Sequence, residues 1–238
     1  MKLSSVFASL FHKKHFRLAT EQLKRYEAYL QSPKARFAIP FVYKGRGLFR
    51  TIKCMQNPDE IERLFDLVFD LQPRTVIEVG TAQGGALYLW CQAAADDATV
   101  ISIDLPGGEF GGGYHKHREP FYHHFAREKQ QLHLLRANSQ IPETVKKTQN
   151  LLNGNQVDFL FIDGDHTYEG VKTDFSLYSP LVRKGGVIAF HDILPRHDIP
   201  EIEVYRFWEE IKKTYPYEEI IGKEGSGRKI GSGVIWIK

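Results

Sequence analysis

Cysteine is scarce in this chain. Cys54 and Cys91 are the only two in 238 residues, too few for a disulfide framework, so a reducing, cytoplasmic setting is the expectation. No run approaches the roughly 18 apolar residues that a membrane span needs. An excess of one charge is missing too: 32 Lys and Arg against 29 Asp and Glu leave a net charge of +3. With no basic block along one face, nothing marks a nucleic-acid footprint. Internal repeats and low-complexity tracts are absent, and so is the G-x-x-x-x-G-K-[ST] pattern, which disfavours a phosphate-cradling P-loop.

The first residues, M-K-L-S-S-V-F-A-S-L-F-H-K-K-H-F-R, have an apolar stretch broken by serines and followed by basic residues rather than a small-residue cleavage site. A basic amphipathic helix is therefore predicted in place of a signal peptide. It can pack on the domain, or touch a membrane surface or a partner. After it comes F-A-I-P-F-V-Y-K-G-R-G-L-F-R, Phe37 to Arg50, whose Pro and Gly suggest a loop. Residues 1–56 thus read as an N-terminal extension, a cap or a homodimer surface, and residues 57–238 as the main domain.

Asn57-Pro58-Asp59-Glu60 reads as a helix start, with a capping Asn, Pro at the first helical position and acids in the first turn. Ile61, Leu64, Phe65, Val68 and Leu71 then recur at helical spacing. Strands are predicted at 75–79, 99–104, 132–136, 157–163 and 186–191. Helices are predicted between them at 86–95, 121–130, 142–152 and 170–181, and after them at 204–215. Such alternation means βαβ units around a parallel sheet with helices on both faces. Two further strands, 218–222 and 233–237, follow as a hairpin that leaves one antiparallel strand on a mainly parallel sheet.

Three strand ends carry the polar residues. T-V-I-E-V-G-T-A-Q-G-G, Thr75 to Gly85, runs a strand into a glycine-rich turn with Glu78, Gly80, Thr81 and Gly84. The next strand ends in Asp104, where an acid can accept both hydroxyls of a ribose. F-I-D-G-D-H-T-Y and V-I-A-F-H-D-I place Asp163, Asp165, His166, His191 and Asp192 at two further strand ends. Ligands of open α/β sheets bind outside the carboxyl ends of strands, so all of these are expected to face one crevice. Asp165 also reads as a turn residue, His166 as a helix cap and His191 as a core histidine.

These motifs resemble the class I S-adenosylmethionine-dependent methyltransferases over roughly residues 57–238. The nearest subgroup includes cephalosporin-hydroxylase-like proteins and antibiotic-sugar O-methyltransferases. Glu78 to Gly85 is similar to that fold's first motif, and Asp104 to its ribose-binding acid. The resemblance implies a Rossmann-like sheet whose last strand inserts antiparallel. It also implies S-adenosylmethionine as cofactor, with Asn138 and Ser139 near its adenine. Asp163, His191 and Asp192 match the divalent-metal positions of the metal-dependent branch, and His166 matches a general base. His191 departs from the usual carboxylate, which leaves the metal open between magnesium and manganese. A small-molecule hydroxylated acceptor, a sugar or secondary metabolite, is implied. The alternatives are a metal-dependent hydroxylase and a non-catalytic cofactor-binding scaffold.

Between Asp104 and the next helix, L-P-G-G-E-F-G-G-G-Y-H-K-H-R-E-P-F-Y-H-H reads as a loop long enough to be a lid. Phe110 and Tyr114 are its candidate substrate contacts. Its His115, His117, His123 and His124 lack acids or cysteines at ligand spacing, so a second metal site is not expected. Trp208 reads as core, with the pocket wall as its other placement.

Overall fold

The computed structural model describes residues 3–107, 113–222 and 230–238, with side chains from Phe11 onward. Seven strands form one sheet in the order β3-β2-β1-β4-β5-β7-β6. They are β1 Thr75–Val79, β2 Thr99–Asp104, β3 Gln131–Arg136, β4 Val157–Ile162, β5 Val182–Phe190, β6 Tyr217–Ile221 and β7 Gly231–Trp236. β7 runs antiparallel to both β5 and β6, while the first five strands are parallel. This is the Rossmann-like α/β arrangement expected from the alternating pattern.

Successive residues of a strand point to opposite faces, and here both faces are covered. Val76, Val100, Phe159, Phe161 and Val187 pack with α3 (Pro58–Leu71) and α4 (Gly85–Ala93) on one side. Ile77, Ile101, Leu160, Ile188 and Phe190 pack with α7 (Tyr168–Tyr178) and α8 (Val204–Ile211) on the other, where α6 (Pro142–Leu152) contributes Leu152. The N-terminal residues belong to the first of these cores. Ala19 and Leu23 of α1 (Leu3–Tyr29) are buried with Tyr43 and Phe49, and the Tyr43 hydroxyl donates to the Ala19 carbonyl at 3.0 Å. The one-turn α2 (Ile39–Val42) ends just before Tyr43. Among the described residues no helix is long and apolar enough to cross a membrane.

One predicted helix does not form. In place of a helix over 121–130, α5 spans only Glu119–Tyr122, a 3-10 turn follows at His123–Phe125, and Ala126 turns extended. Tertiary contacts win here over helical patterning. Gln130 donates to the Cys91 and Ala95 carbonyls at 2.8 and 2.9 Å, and Arg127 to the Ala94 carbonyl and to Asp96. Both residues tie the chain to the end of α4, from where it enters β3.

Sheet register sets the level of the site. Val79 pairs with Ile103 on one side and Ile162 on the other, and Ile162 pairs with Phe190. One step further along, Gly80, Asp104, Asp163 and His191 come level across four adjacent strands. Backbone bonds continue that register, Gly80 N–H to Ile103 at 2.8 Å, Asp163 N–H to Val79 at 2.8 Å and His191 N–H to Ile162 at 3.2 Å. Strand order reverses between β1 and β4, so the crevice opens at the topological switch point.

Candidate active site

A cavity of about 560 Å³ lies over these strand ends. Gly80, Ala82, Asp104, Leu105, Ala137, Asn138 and Ser139 line one half of it, and Asp163, His166, His191, Asp192, Arg196 and Ile199 the other.

In the first half, the glycine turn is held from below. Glu78 is fully buried and accepts a 2.5 Å hydrogen bond from the Ser102 hydroxyl, whose oxygen lies 2.5 Å from that of Thr81. Burial drives the Glu78 carboxyl well up. Asp104 accepts from the N–H groups of Thr81 at 3.0 Å, Ala82 at 2.7 Å and Leu105 at 2.8 Å. It therefore braces the turn as well as facing the cavity.

The glycines are not equivalent. Gly80 has φ +98°, and a Cβ there would sit 2.0 Å from the Asp163 carbonyl oxygen, so only glycine lets β1 and β4 meet at this point. At Gly84 a Cβ would strike Tyr122, and at Gly85 the backbone of Lys53 and Cys54. Those two accommodate packing outside the cavity. Gly84, Glu78 and Thr81 do not line it, whereas Gly80 does.

Asn138 and Ser139 line the cavity beside Ala137. The Ser139 hydroxyl donates to Asp174 Oδ1 at 2.7 Å rather than capping α6, and its carbonyl accepts from the Tyr178 hydroxyl at 2.7 Å. Asp174 is fully buried, and burial pushes its carboxyl up to about 7.

The second half gathers the ionisable groups. His191 Nδ1 lies 3.2 Å from Asp163 Oδ1 and 3.6 Å from Asp192 Oδ2. His166 Nε2 lies 3.2 Å from the same Asp163 oxygen and 3.8 Å from Asp192 Oδ2. Asp192 adopts φ +58°, an uncommon backbone for a non-glycine residue and a mark of functional sites. Burial alone would raise Asp163, but the two imidazoles outweigh it and hold its carboxyl well below the usual range. Burial would lower His191. Asp163, then Asp192 and Glu60, overcome that and raise it to about 10. Burial also opposes the charged form of His166, and Asp163 and Asp192 raise it nonetheless.

Asp163, His191 and Asp192 each offer a ligand atom within 4.8 Å of one another, and Asp192 Oδ1 has no hydrogen-bond partner. Two carboxylates and one imidazole around a buried point suit a divalent cation. The nitrogen favours manganese, iron or zinc over magnesium. No second grouping of this kind occurs among the described residues.

The remaining expectations hold in part. Asp165 lines the cavity and also closes a turn, its Oδ1 accepting from the Thr167 N–H and hydroxyl at 3.0 and 2.8 Å, and Thr167, not His166, caps α7. Tyr114 is buried against Tyr122 and Arg136 rather than facing the cavity. Trp208 is core, its indole N–H donating to Glu219 at 2.7 Å. Phe110 lies outside the described residues.

Sequence reasoning missed two neighbours of the cluster. Gln56 Nε2 donates to Asp163 Oδ2 at 2.7 Å. Glu60 has no exposed surface, accepts from the Ser232 hydroxyl at 2.6 Å and sets the same oxygen, Oε1, 3.6 Å from His191 Nε2. A weak signal was present: Glu60 stands four residues before Leu64, in line with the apolar stripe of α3, but an acid in the first turn is also an ordinary helix start.

Comparison with known proteins places this geometry in context. A family profile described as a methyltransferase domain matches residues 77–193. An uncharacterised protein of Acanthamoeba polyphaga mimivirus is 33% identical over 162 residues, covering 65% of this chain and 69% of that protein. The rhamnosyl O-methyltransferase of Mycobacterium leprae is 22% identical over 202 residues, 76% of this chain and 80% of that one. An uncharacterised protein of Sinorhizobium fredii is 30% identical over 176 residues, or 71% of this chain, which spans only 19% of that relative's length. Among solved structures, the O-methyltransferase TomG of Streptomyces achromogenes in complex with SAM has a TM-score of 0.57 at 14% identity, covering 92% and 90% of the two chains.

Proposed function

The chain belongs to the class I S-adenosylmethionine-dependent methyltransferases, and from that premise we propose that it methylates a hydroxyl of a sugar or secondary-metabolite acceptor with the help of a divalent cation. The observation that carries this reading is the grouping of Asp163, His191 and Asp192 within 4.8 Å, beside His166, on one wall of a cavity whose other wall is the Gly80 turn, Asp104 and Asn138.

Methyl transfer from a sulfonium is an in-line displacement, so the chain's first task is to hold donor and acceptor on one line, worth about 7 to 11 kcal/mol when done well. The glycine turn, Asp104 and the Ala137-to-Ser139 wall make the donor half. Ile199, Ile202, Ile230 and Met55 give the acceptor half an apolar lining, with Arg196 as its fixed cation. Arg196 is itself held by Asp198 at 2.8 and 2.7 Å.

An alcohol must also lose its proton at or before attack. Asp163, His191 and Asp192 would hold the cation, which when bound polarises the acceptor oxygen and lowers its pKa. His166 is the residue that takes the proton, because its ring borders both the carboxylate pair and the cavity.

Incubation with labelled S-adenosylmethionine and a panel of hydroxylated acceptors, before and after chelation, tests the proposal. Cation-dependent label on an acceptor oxygen is the expected result. Turnover requiring 2-oxoglutarate and oxygen would overturn it. Transfer indifferent to chelation would remove the cation and leave the methyl donor. In cells, the proposed setting is the cytoplasm.

A further inference from the structure

We propose that Glu60 is a positioning residue for His191, fixing the proton on Nε2 so that Nδ1 is presented, with Asp163 and Asp192, to a divalent cation. The inference rests on the cation reading above and goes beyond it, by adding a residue from outside the strand ends and a preference among metals.

The His191 ring has two sides. Nδ1 faces Asp163 Oδ1 at 3.2 Å and Asp192 Oδ2 at 3.6 Å, whereas Nε2 makes no hydrogen bond and faces the Glu60 carboxylate, with Oε1 at 3.6 Å. An imidazole that ligates through one nitrogen keeps its proton on the other, and a carboxylate behind that proton fixes both tautomer and ring plane. Glu60 is the carboxylate so placed. It stays in position because Oε1 also accepts from the buried Ser232 hydroxyl at 2.6 Å, and because α3 is locked on the sheet by Ile61, Leu64 and Phe65. Its other oxygen, Oε2, is buried without a partner, a costly arrangement that packing alone does not require.

Gln56, one helical turn before Glu60 in sequence, does for Asp163 what Glu60 does for His191. By donating to Oδ2 at 2.7 Å it leaves Oδ1 turned toward the two imidazoles. The segment from Gln56 into the first turn of α3 thus reaches both a carboxylate and an imidazole of the site from behind. A carboxylate-backed imidazole is a more basic nitrogen donor, which favours cobalt, manganese, iron or zinc over magnesium.

The test uses the full chain freed of metal with a chelator, without cofactor or acceptor. Affinities for Co²⁺ and Mg²⁺ are measured by titration calorimetry, and the visible spectrum of the Co²⁺ form is recorded, for wild type, Glu60→Ala, Glu60→Gln and Ser232→Ala. Glu60→Ala is expected to weaken Co²⁺ about 10- to 100-fold and to shift its spectrum, with a smaller change for Mg²⁺. Glu60→Gln, which keeps an acceptor oxygen, recovers most of the loss. Ser232→Ala loosens Glu60 without removing its carboxylate and gives a smaller loss in the same direction. Unchanged Co²⁺ affinity and spectrum in a folded Glu60→Ala overturns the inference and leaves the cation reading intact. Should wild type bind neither Co²⁺ nor Mg²⁺, the cation reading fails and this inference with it.

Discussion

His191 Nδ1 and Asp163 Oδ1 stand 3.2 Å apart across the neighbouring ends of β5 and β4, with both side chains largely buried. In the metal-free protein this pairing ties stability to pH. Burial lowers the imidazole, but Asp163, Asp192 and Glu60 prevail and raise it to about 10. Its unfolded counterpart titrates near 6.5. The folded state therefore holds the proton more tightly, and the stabilisation is complete below about pH 6.5 and lost as pH rises through about 10. Urea unfolding of chelator-treated protein should show that decline, and His191→Gln should flatten it.

Asp192→Ala removes a carboxylate from the cation cluster but none from the donor half. Turnover should fall about 100-fold or more, since a lost cation is worth several kcal/mol of barrier. Binding of S-adenosylmethionine, read by calorimetry, should stay within a few-fold of wild type.

His166→Gln keeps a polar side chain of similar reach and deletes the base. The expected loss in kcat is about 10²- to 10⁴-fold, recovered in part as pH rises and the acceptor ionises without help. A pH–rate profile distinguishes this from misfolding, which would lower the profile uniformly.

Asp174 gives the opposite stability signature to an ordinary carboxylate. Burial raises it to about 7, against about 3.9 when unfolded. Between those values the folded state holds the extra proton, so stability falls as pH rises from about 4 to about 7 and then levels off. The displacement corresponds to about 4 kcal/mol at most. Asp174→Asn keeps an acceptor oxygen for Ser139 and never charges. Its denaturation midpoint should match wild type near pH 4 and exceed it at pH 8.

Gly80→Ala places a methyl group 2.0 Å from the Asp163 carbonyl oxygen at φ +98°. Strain and overpacking together should cost about 2 to 5 kcal/mol and weaken cofactor binding. Gly107→Ala, with open space around its position, is the control, and denaturant midpoints of the two decide the matter.

Much of this was legible before any coordinates. The bounds 75–79, 99–104 and 142–152 coincide with β1, β2 and α6, because buried strands read as continuous apolar runs and a proline marked the helix start. Asp163, His166, His191 and Asp192 were found by position alone, as polar residues just past such runs. Gln56 was not, since its partner Asp163 is 107 residues away and no local pattern reports a contact of that separation. The helix expected over 121–130 failed for the same reason, its side chains being claimed by the end of α4.

The sequence by itself determined the order of strands and helices, the placement of acids and imidazoles at strand ends, and the glycine at the end of β1. Periodicity and chain stiffness are local properties, and each of these follows from them. Only the tertiary structure decided which residues face one another. It made Asp104 a brace for the Gly80 turn, assigned Gly84 and Gly85 to packing, and set Glu60 and Gln56 behind His191 and Asp163. Register between strands and the seating of α3 on the sheet depend on the summed packing of the whole core, and no single stretch of chain contains that information.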